Sequence, residues 1–400
     1  MSASAMQPPK RAGAPLVVAA AALDGGFALF LIAVQAFFPS VLDAGAGAPG
    51  YALGIYGATR LLLQAPGGVL ARRVGTGRQI ALGMGGGALA LAALSLAHGA
   101  LQAYLLTFVY GLMTALVWPP ILLRAGDLFA EHRGELIGYV SLSSAVATVG
   151  GVAAGSFLID YIPIRLVLGL AALWLALGAL VAGALLAGQR SATPRRGHLA
   201  EGADWRGGAA KLFAALLCQG LGLAVLTPIM RQYAIEQLHL RLHDLVVLGL
   251  PAAACAALTF LAAGRLTDRL GRAPVVAGGA AIAALGTLLV SQAGGGRYFL
   301  LAAIPLGIGY AASAPALSAW VTDLGDRGGG TLGAALTVQG LALAVGPVLG
   351  GLIVSVSRPA VTMQASALFW LLAAVFALLP PLALSRQPHR IEHPSSESSS

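Results

Sequence analysis

Two ionisable side chains interrupt long apolar stretches of this sequence. Asp24 follows Leu16-Val17-Val18-Ala19-Ala20-Ala21-Ala22-Leu23, and Arg60 lies between Leu53-Gly54-Ile55-Tyr56-Gly57-Ala58-Thr59 and Leu61-Leu62-Leu63. A charge inside hydrocarbon costs several kcal/mol unless it is paired or hydrated, so such residues mark ion or substrate pathways by default. A carboxyl group there can take up and release a proton, and a guanidinium can neutralise a carboxylate. Asp24 lies about nine residues into its apolar run and Arg60 about eleven residues from the far end of the next, so their depths agree to within roughly 5 Å at about 1.5 Å per helical residue. A pair between them would satisfy both charges. If that pair opens on proton or substrate binding it is a switch, and if it never opens it is a structural tie. Burial disfavours a carboxylate whereas a nearby guanidinium favours it, so relative movement of the two would couple protonation to conformation.

Further polar and aromatic residues inside apolar runs are candidates for lining a central cavity: Gln35, Tyr56, Gln64, Tyr110, Trp118, Gln219, Thr227, Tyr310, Trp320 and Gln339. Taken singly, each also fits a helix–helix hydrogen bond or an interfacial ring.

The elements that must position these residues follow from composition. With 58% apolar and 10% charged residues, a 400-residue chain exceeds what a water-soluble core can hide and belongs in a bilayer. Runs of about twenty apolar residues each supply one membrane-crossing helix, and twelve occur, at roughly 15–38, 50–71, 78–98, 101–124, 136–159, 164–187, 209–231, 245–264, 274–294, 298–320, 332–355 and 362–384. The first is too long for a signal-peptide core. The net charge of +9 falls in the short gaps rather than on a basic face, so topology explains it and nucleic acid does not. Lys10, Arg11, Arg72, Arg73, Arg78, Arg133, Arg195, Arg196, Arg265, Arg269, Arg272 and Arg327 share one side of the membrane, against Arg165, Arg231, Arg241, Arg297 and Arg358 on the other. This bias places both termini in the cytoplasm. The expected organisation is a cytoplasmic segment 1–14, a six-helix bundle 15–187, a basic linker 188–208, a second six-helix bundle 209–384 and a disordered tail 385–400.

The two bundles repeat one unit. Gly264-Arg265-Leu266-Thr267-Asp268-Arg269-Leu270-Gly271-Arg272, less 196, lands on Gly68-Val69-Leu70-Ala71-Arg72-Arg73-Val74-Gly75-Thr76, with both glycines, the leucine and an arginine in register. The same shift of 196 pairs Gly111 with Gly307, Pro119 with Pro315, Asp127 with Asp323, Gly150 with Gly346 and Gly155 with Gly351. In this loop unit a glycine is expected to end a helix, an Asp to face the dipole of the next helix start, and the arginines to hold the turn at an anionic membrane face.

Twelve spans, a duplicated half and the Gly-x-Leu-x-Asp-Arg-x-Gly-Arg turn together resemble the major facilitator superfamily over the whole membrane part. Leu53 to Arg60 running into Gln64-Ala65-Pro66-Gly67-Gly68 resembles the second span of drug:proton antiporters. Gly346-Pro347 with Gly350-Gly351 resembles the family's Gly-Pro-x-x-Gly-Gly signature, but Gly151 replaces the proline in the first half. Asp24-Gly25-Gly26-Phe27 is similar to the Asp-Gly-Gly-Trp opening of monocarboxylate transporters. The resemblance implies an all-α membrane protein of two pseudo-symmetric six-helix bundles and a conformational role for Gly68, Arg72, Arg73, Gly75, Gly264, Asp268, Arg269, Gly271 and Arg272. Arg72 stands where the family carries Asp, which leaves a charge latch at that position without its acid.

The function so implied is secondary active transport of a small organic solute by alternating access. Asp24 carries a proton and Asp24 or Arg60 serves substrate or coupling. Drug or metabolite efflux leads, ahead of monocarboxylate uptake or exchange and of a non-transporting or lipid-handling role. No Walker loop, His-Glu-x-x-His or Gly-x-Ser-x-Gly motif occurs, and Cys218 and Cys255 lack metal-like spacing, so an enzyme is not expected. No cofactor is expected beyond an ion gradient, here of protons. The expected setting is a monomer in the inner membrane of a bacterium, with lipid and a small-molecule substrate as its partners.

Overall fold

In a computed structural model, the structure describes residues 9–121, 124, 133–186, 205–325 and 330–380. The predicted linker 188–208, apart from its last residues, and the tail 385–400 lie outside this set, as do the side chains of Gln64, Arg72 and Asp268 and the surroundings of Gly68 and Gly264. The described chain forms helices α1 (Pro9–Val41), α2 (Ala48–Val74), α3 (Thr76–Ser95), α4 (Ala100–Ala115), α5 (Arg133–Tyr161), α6 (Ile164–Leu186), α7 (Trp205–Ala224), α8 (Met230–Glu236), α9 (Leu242–Leu270), α10 (Arg272–Ser291), α11 (Gly296–Gly325), α12 (Gly330–Val356) and α13 (Pro359–Leu378). Among the described residues nine helices are long and apolar enough to cross a membrane. The other three long helices fall short for local reasons. α2 carries Arg60, Arg72 and Arg73, α3 opens on Arg78 and Gln79 before a glycine run, and α7 enters with the shorter apolar stretch Ala209–Ala224.

The repeat seen in sequence is built in space. In the first half α1 packs on α5 and α6, α3 on α4 and α6, and α2 on α4; in the second α7 packs on α12 and α13, α10 on α11 and α13, and α9 on α11. Each pairing is the other's image under the shift of 196. The two described glycines with positive φ are Gly75 (95°) and Gly271 (87°), themselves 196 apart. Only glycine takes this conformation without strain, so these two positions turn the chain between α2 and α3 and between α9 and α10. The second glycine of each motif therefore ends the helix, while α2 and α9 run on through Gly68 and Gly264. Asp268 accordingly lies in the last turn of α9, not at the start of the next helix. Trp174 lies over Gly25 as Trp370 lies over Gly222, because only a missing side chain on the first helix of each half leaves room for an indole from its sixth.

Proline breaks this symmetry where it matters. Leu116 would bond the N–H four residues on, but that residue is Pro120, which has none. α4 stops at Ala115 and turns through Leu116 and Val117. The orphaned Leu116 carbonyl accepts from Gln79 Nε2 at 2.9 Å, and the same amide donates to Gly67 O at 2.9 Å, tying α2, α3 and the end of α4 together. In the second half the equivalent of Pro120 is Ala316 and that of Gln79 is Val275, and α11 continues unbroken. Gln79→Leu should therefore destabilise the protein by about 1–3 kcal/mol, the cost of an unpaired buried carbonyl. In thermal unfolding of the purified protein, adding Pro120→Ala should recover part of that loss, because it restores the missing N–H.

α7 ends early for a related reason. Pro228 cannot donate and biases Thr227 away from helix, so the seventh span expected at 209–231 breaks into α7, a run of turns through 225–229, and α8. Short i to i−3 bonds carry the turns, such as Thr227 N to Ala224 O at 3.2 Å and Ile229 N to Leu226 O at 3.2 Å.

Candidate functional site: a cavity beside a buried acid

Asp24 is 8% exposed and lies near the middle of α1. It accepts a hydrogen bond from Ser144 Oγ of α5. It does not pair with Arg60, although the two charges are within electrostatic reach. Matching positions along two helices do not fix the rotation about each axis, which decides whether the two side chains meet. Arg60 turns over the Tyr56 ring, with Cζ at 5.9 Å from the centroid, and its buried Nε has no hydrogen-bond partner. Such a stacked cation gains part of what it loses in hydration.

One helical turn from both charges, an aromatic cluster closes the seam between α1, α2 and α4. Phe27 stacks on Tyr56 at 4.7 Å, Tyr56 on Tyr110 at 5.4 Å, and Phe30 tilts on Tyr110 at 4.8 Å. Phe27 comes one turn after Asp24 and Tyr56 one turn before Arg60 on oppositely directed helices, so the cluster caps both charges on the side away from the termini. We call that side the distal face.

The second half holds a cavity of about 320 Å³, within the range of small-molecule sites. Gln219, Thr227, Tyr310 and Gln339, all singled out in the sequence, line it together with Ser318 and apolar groups such as Leu216, Leu223 and Leu343. No charged side chain is among its described lining residues. Gln219 donates to Ser313 Oγ at 2.9 Å, which fixes the amide at the wall. The broken end of α7 brings Thr227 there as well, its hydroxyl bonded to Ala224 O at 2.7 Å. The remaining candidates lie elsewhere. Gln35 receives the Arg231 N–H at 3.0 Å, capping α8 of the other half. Trp118 packs on the first half's core, and Trp320 lies under Lys211, whose Nζ is 5.3 Å from the ring centroid. Arg73 and Arg269 are exposed and Arg272 is half-buried at the turns.

The two halves meet on the distal side. Gly47, Gly50, Gly54 and Gly57 of α2 and its approach abut Gly351, Pro347, Val348 and Leu343 of α12, with backbones too close to admit a Cβ. Ile32, Val152 and Ile159 of the first half share a cluster with Leu226, Ile229, Leu242 and Leu245 of the second. Asp160 of α5 meets His243 of α9 at 2.6 Å. Neither Ser144 nor His243 stands out in the sequence as a partner. A serine among small residues carries no periodic signal, and a His-Asp pair at a span end reads as a solvated turn.

Two bundles related by a repeat, one of them holding a cavity with polar groups on its wall, and joined among the described residues at the distal face, define a membrane transporter fold. The sequence model of the Major Facilitator Superfamily matches residues 16–211 and again 212–399, and the chain belongs to that family. Solved structures share the architecture at low identity. A nucleoside transporter, NupG, matches at TM-score 0.69 and 13% identity, covering 92% of this chain and 98% of its own. A peptide transporter of the POT type matches at TM-score 0.73 and 14% identity, covering 92% and 93%. A bacterial homologue of the human lysosomal transporter Spinster, in an inward-facing and unoccupied conformation, matches at TM-score 0.73 and 16% identity, covering 92% and 96%. A comparison with curated protein sequences finds no match.

Proposed function

We propose that this chain is a proton-coupled exporter of a small, uncharged or amphipathic organic solute, with both termini in the cytoplasm. The observation that carries the reading is a division of labour between the halves. Under the shift of 196, Asp24 and Arg60 correspond to Gly220 and Ala256, and the cavity amide Gln219 corresponds to Leu23. Charge has been placed in one half and neutral hydrogen-bonding groups in the other. A cavity of amides, hydroxyls and rings suits a solute that carries apolar surface and a few polar groups, because an anion or cation there would lack a counter-charge. The Ser144 hydroxyl can donate to a carboxylate or accept from the neutral acid, so Asp24 is supported in both protonation states. Closure at the distal face, with the described contacts between halves gathered there, fits the half of an alternating-access cycle that loads from the cytoplasm.

The first experiment is a thermal-shift screen of the purified protein against lipophilic cations, neutral amphipaths and small carboxylates at two pH values. Neutral and amphipathic compounds should stabilise it. Gln219→Leu should weaken binding of the best hit about tenfold, the worth of one good hydrogen bond, and unchanged affinity would remove this cavity as the site. The unpartnered Arg60 Nε favours a second reading, in which Arg60 receives a carboxylate. Stabilisation by carboxylates alone, lost in Arg60→Gln, would establish that reading instead.

A further inference from the structure

The α5–α9 contact across the distal face differs from its symmetry mate in kind. Shifting Asp160 and His243 by 196 gives Val356 and Gly47, so the α2–α12 counterpart holds no titratable group at these positions. His243 Nδ1 lies 2.6 Å from Asp160 Oδ2, and its Nε2 lies 3.1 Å from Asp244 Oδ1. A neutral imidazole has one N–H and one lone pair. In this geometry its lone pair would face a carboxylate oxygen, whereas an imidazolium donates to Asp160 and sets its charge beside Asp244. The residue is half-buried, open enough to exchange protons with water.

We infer that His243 is a proton-binding latch between the two halves. Carrying two protons, it bridges Asp160 of one half to Asp244 of the other and holds the distal face shut. Losing one removes the positive charge and leaves one of the two carboxylates facing a lone pair, so the tie weakens and the face opens more readily. The groups around it leave this role to His243. From α5, Asp160 is its partner and the Tyr161 ring lies 6.5 Å away. From its own helix start come Asp244 and Arg241, and from α8 comes Arg231, which attracts Asp160. His239 lines, with Asp160, Arg231 and Arg241, a cleft of about 340 Å³ beside the contact. The arginines stay charged throughout, so their pull on Asp160 is constant. That leaves the two imidazoles, and of these it is His243 whose ring nitrogen lies against Asp160.

The inference rests on the alternating-access reading, but its test reads distance and not flux. Spin labels at Leu96→Cys and Tyr298→Cys, in a Cys218→Ser, Cys255→Ser background, report the span between the halves at the distal face. Both sites are exposed, at 68% and 73%. Raising the pH from about 5.5 to about 8, across the range in which imidazoles change charge, should increase the population with the longer distance about tenfold. His243→Gln should abolish that response, and Asp160→Asn should give the open population already at the lower pH. The response should persist in Asp24→Asn, so failure of Asp24 as the proton carrier would not be mistaken for failure of the latch. A wild-type distance that ignores pH, or a response retained in His243→Gln, would overturn the inference.

Discussion

Asp24→Asn is expected to abolish gradient-driven transport while leaving the protein folded and able to bind substrate. Asparagine matches aspartate in shape and keeps an oxygen for the Ser144 hydroxyl, so the α1–α5 contact survives. What it removes is the exchangeable proton. One pH unit across the membrane is worth about 1.4 kcal/mol per proton, which sustains roughly tenfold solute accumulation per proton exchanged. In proteoliposomes with an imposed pH gradient, the wild type should build such a ratio and Asp24→Asn should stop at equal concentrations on both sides. Exchange of labelled for unlabelled substrate without a gradient should continue in the variant. Accumulation that matched the wild type would show that the proton travels by another group.

The mechanism behind that expectation uses the separation of Asp24 from Arg60. In the described conformation the acid leans on Ser144 and the guanidinium on Tyr56. A state in which α1 and α2 rotate to bring the two together would favour the carboxylate and release the proton. The Phe27–Tyr56 stack lies one turn from each charge and would have to shear in such a rotation.

Much of the fold was legible because a repeat leaves the same breaker residues at one offset. Gly75 and Gly271 share a backbone conformation, and Gly111 and Gly307 receive the equivalent positions Tyr56 and Ala252. Of the polar and aromatic residues singled out in apolar runs, Gln219, Thr227, Tyr310 and Gln339 lie on the cavity wall, while Gln35, Trp118 and Trp320 lie elsewhere. Three things were hidden. The Asp24–Arg60 geometry depends on helix rotation, which a shift of one residue changes by about 100°. The break at Val225 depends on how far Pro228 disrupts the turn before it. The His243 contact joins residues 83 positions apart, and neither end shows a charge pattern of its own.

The glycine seam between α2 and α12 yields the other large effect. A Cβ at Gly57 would overlap the backbone of Leu343 and Ala344, and backbone, unlike a flexible side chain, cannot swing aside. Gly57→Val must therefore push the two helices apart, at about 1–3 kcal/mol for overpacking. The cost falls on one state only. With the distal face closed the seam is in contact, and with it open the added side chain meets less protein. The equilibrium between the two should shift toward the open state by roughly tenfold to a hundredfold. Transport should fall in proportion, because a carrier held in one state cannot cycle. Gly85→Val supplies the control, since no heavy atom lies within 4 Å of a Cβ built there. The spin-label pair across the distal face should report longer distances in Gly57→Val and wild-type distances in Gly85→Val. If Gly57→Val kept both wild-type distances and wild-type transport, the seam would not be part of the moving gate.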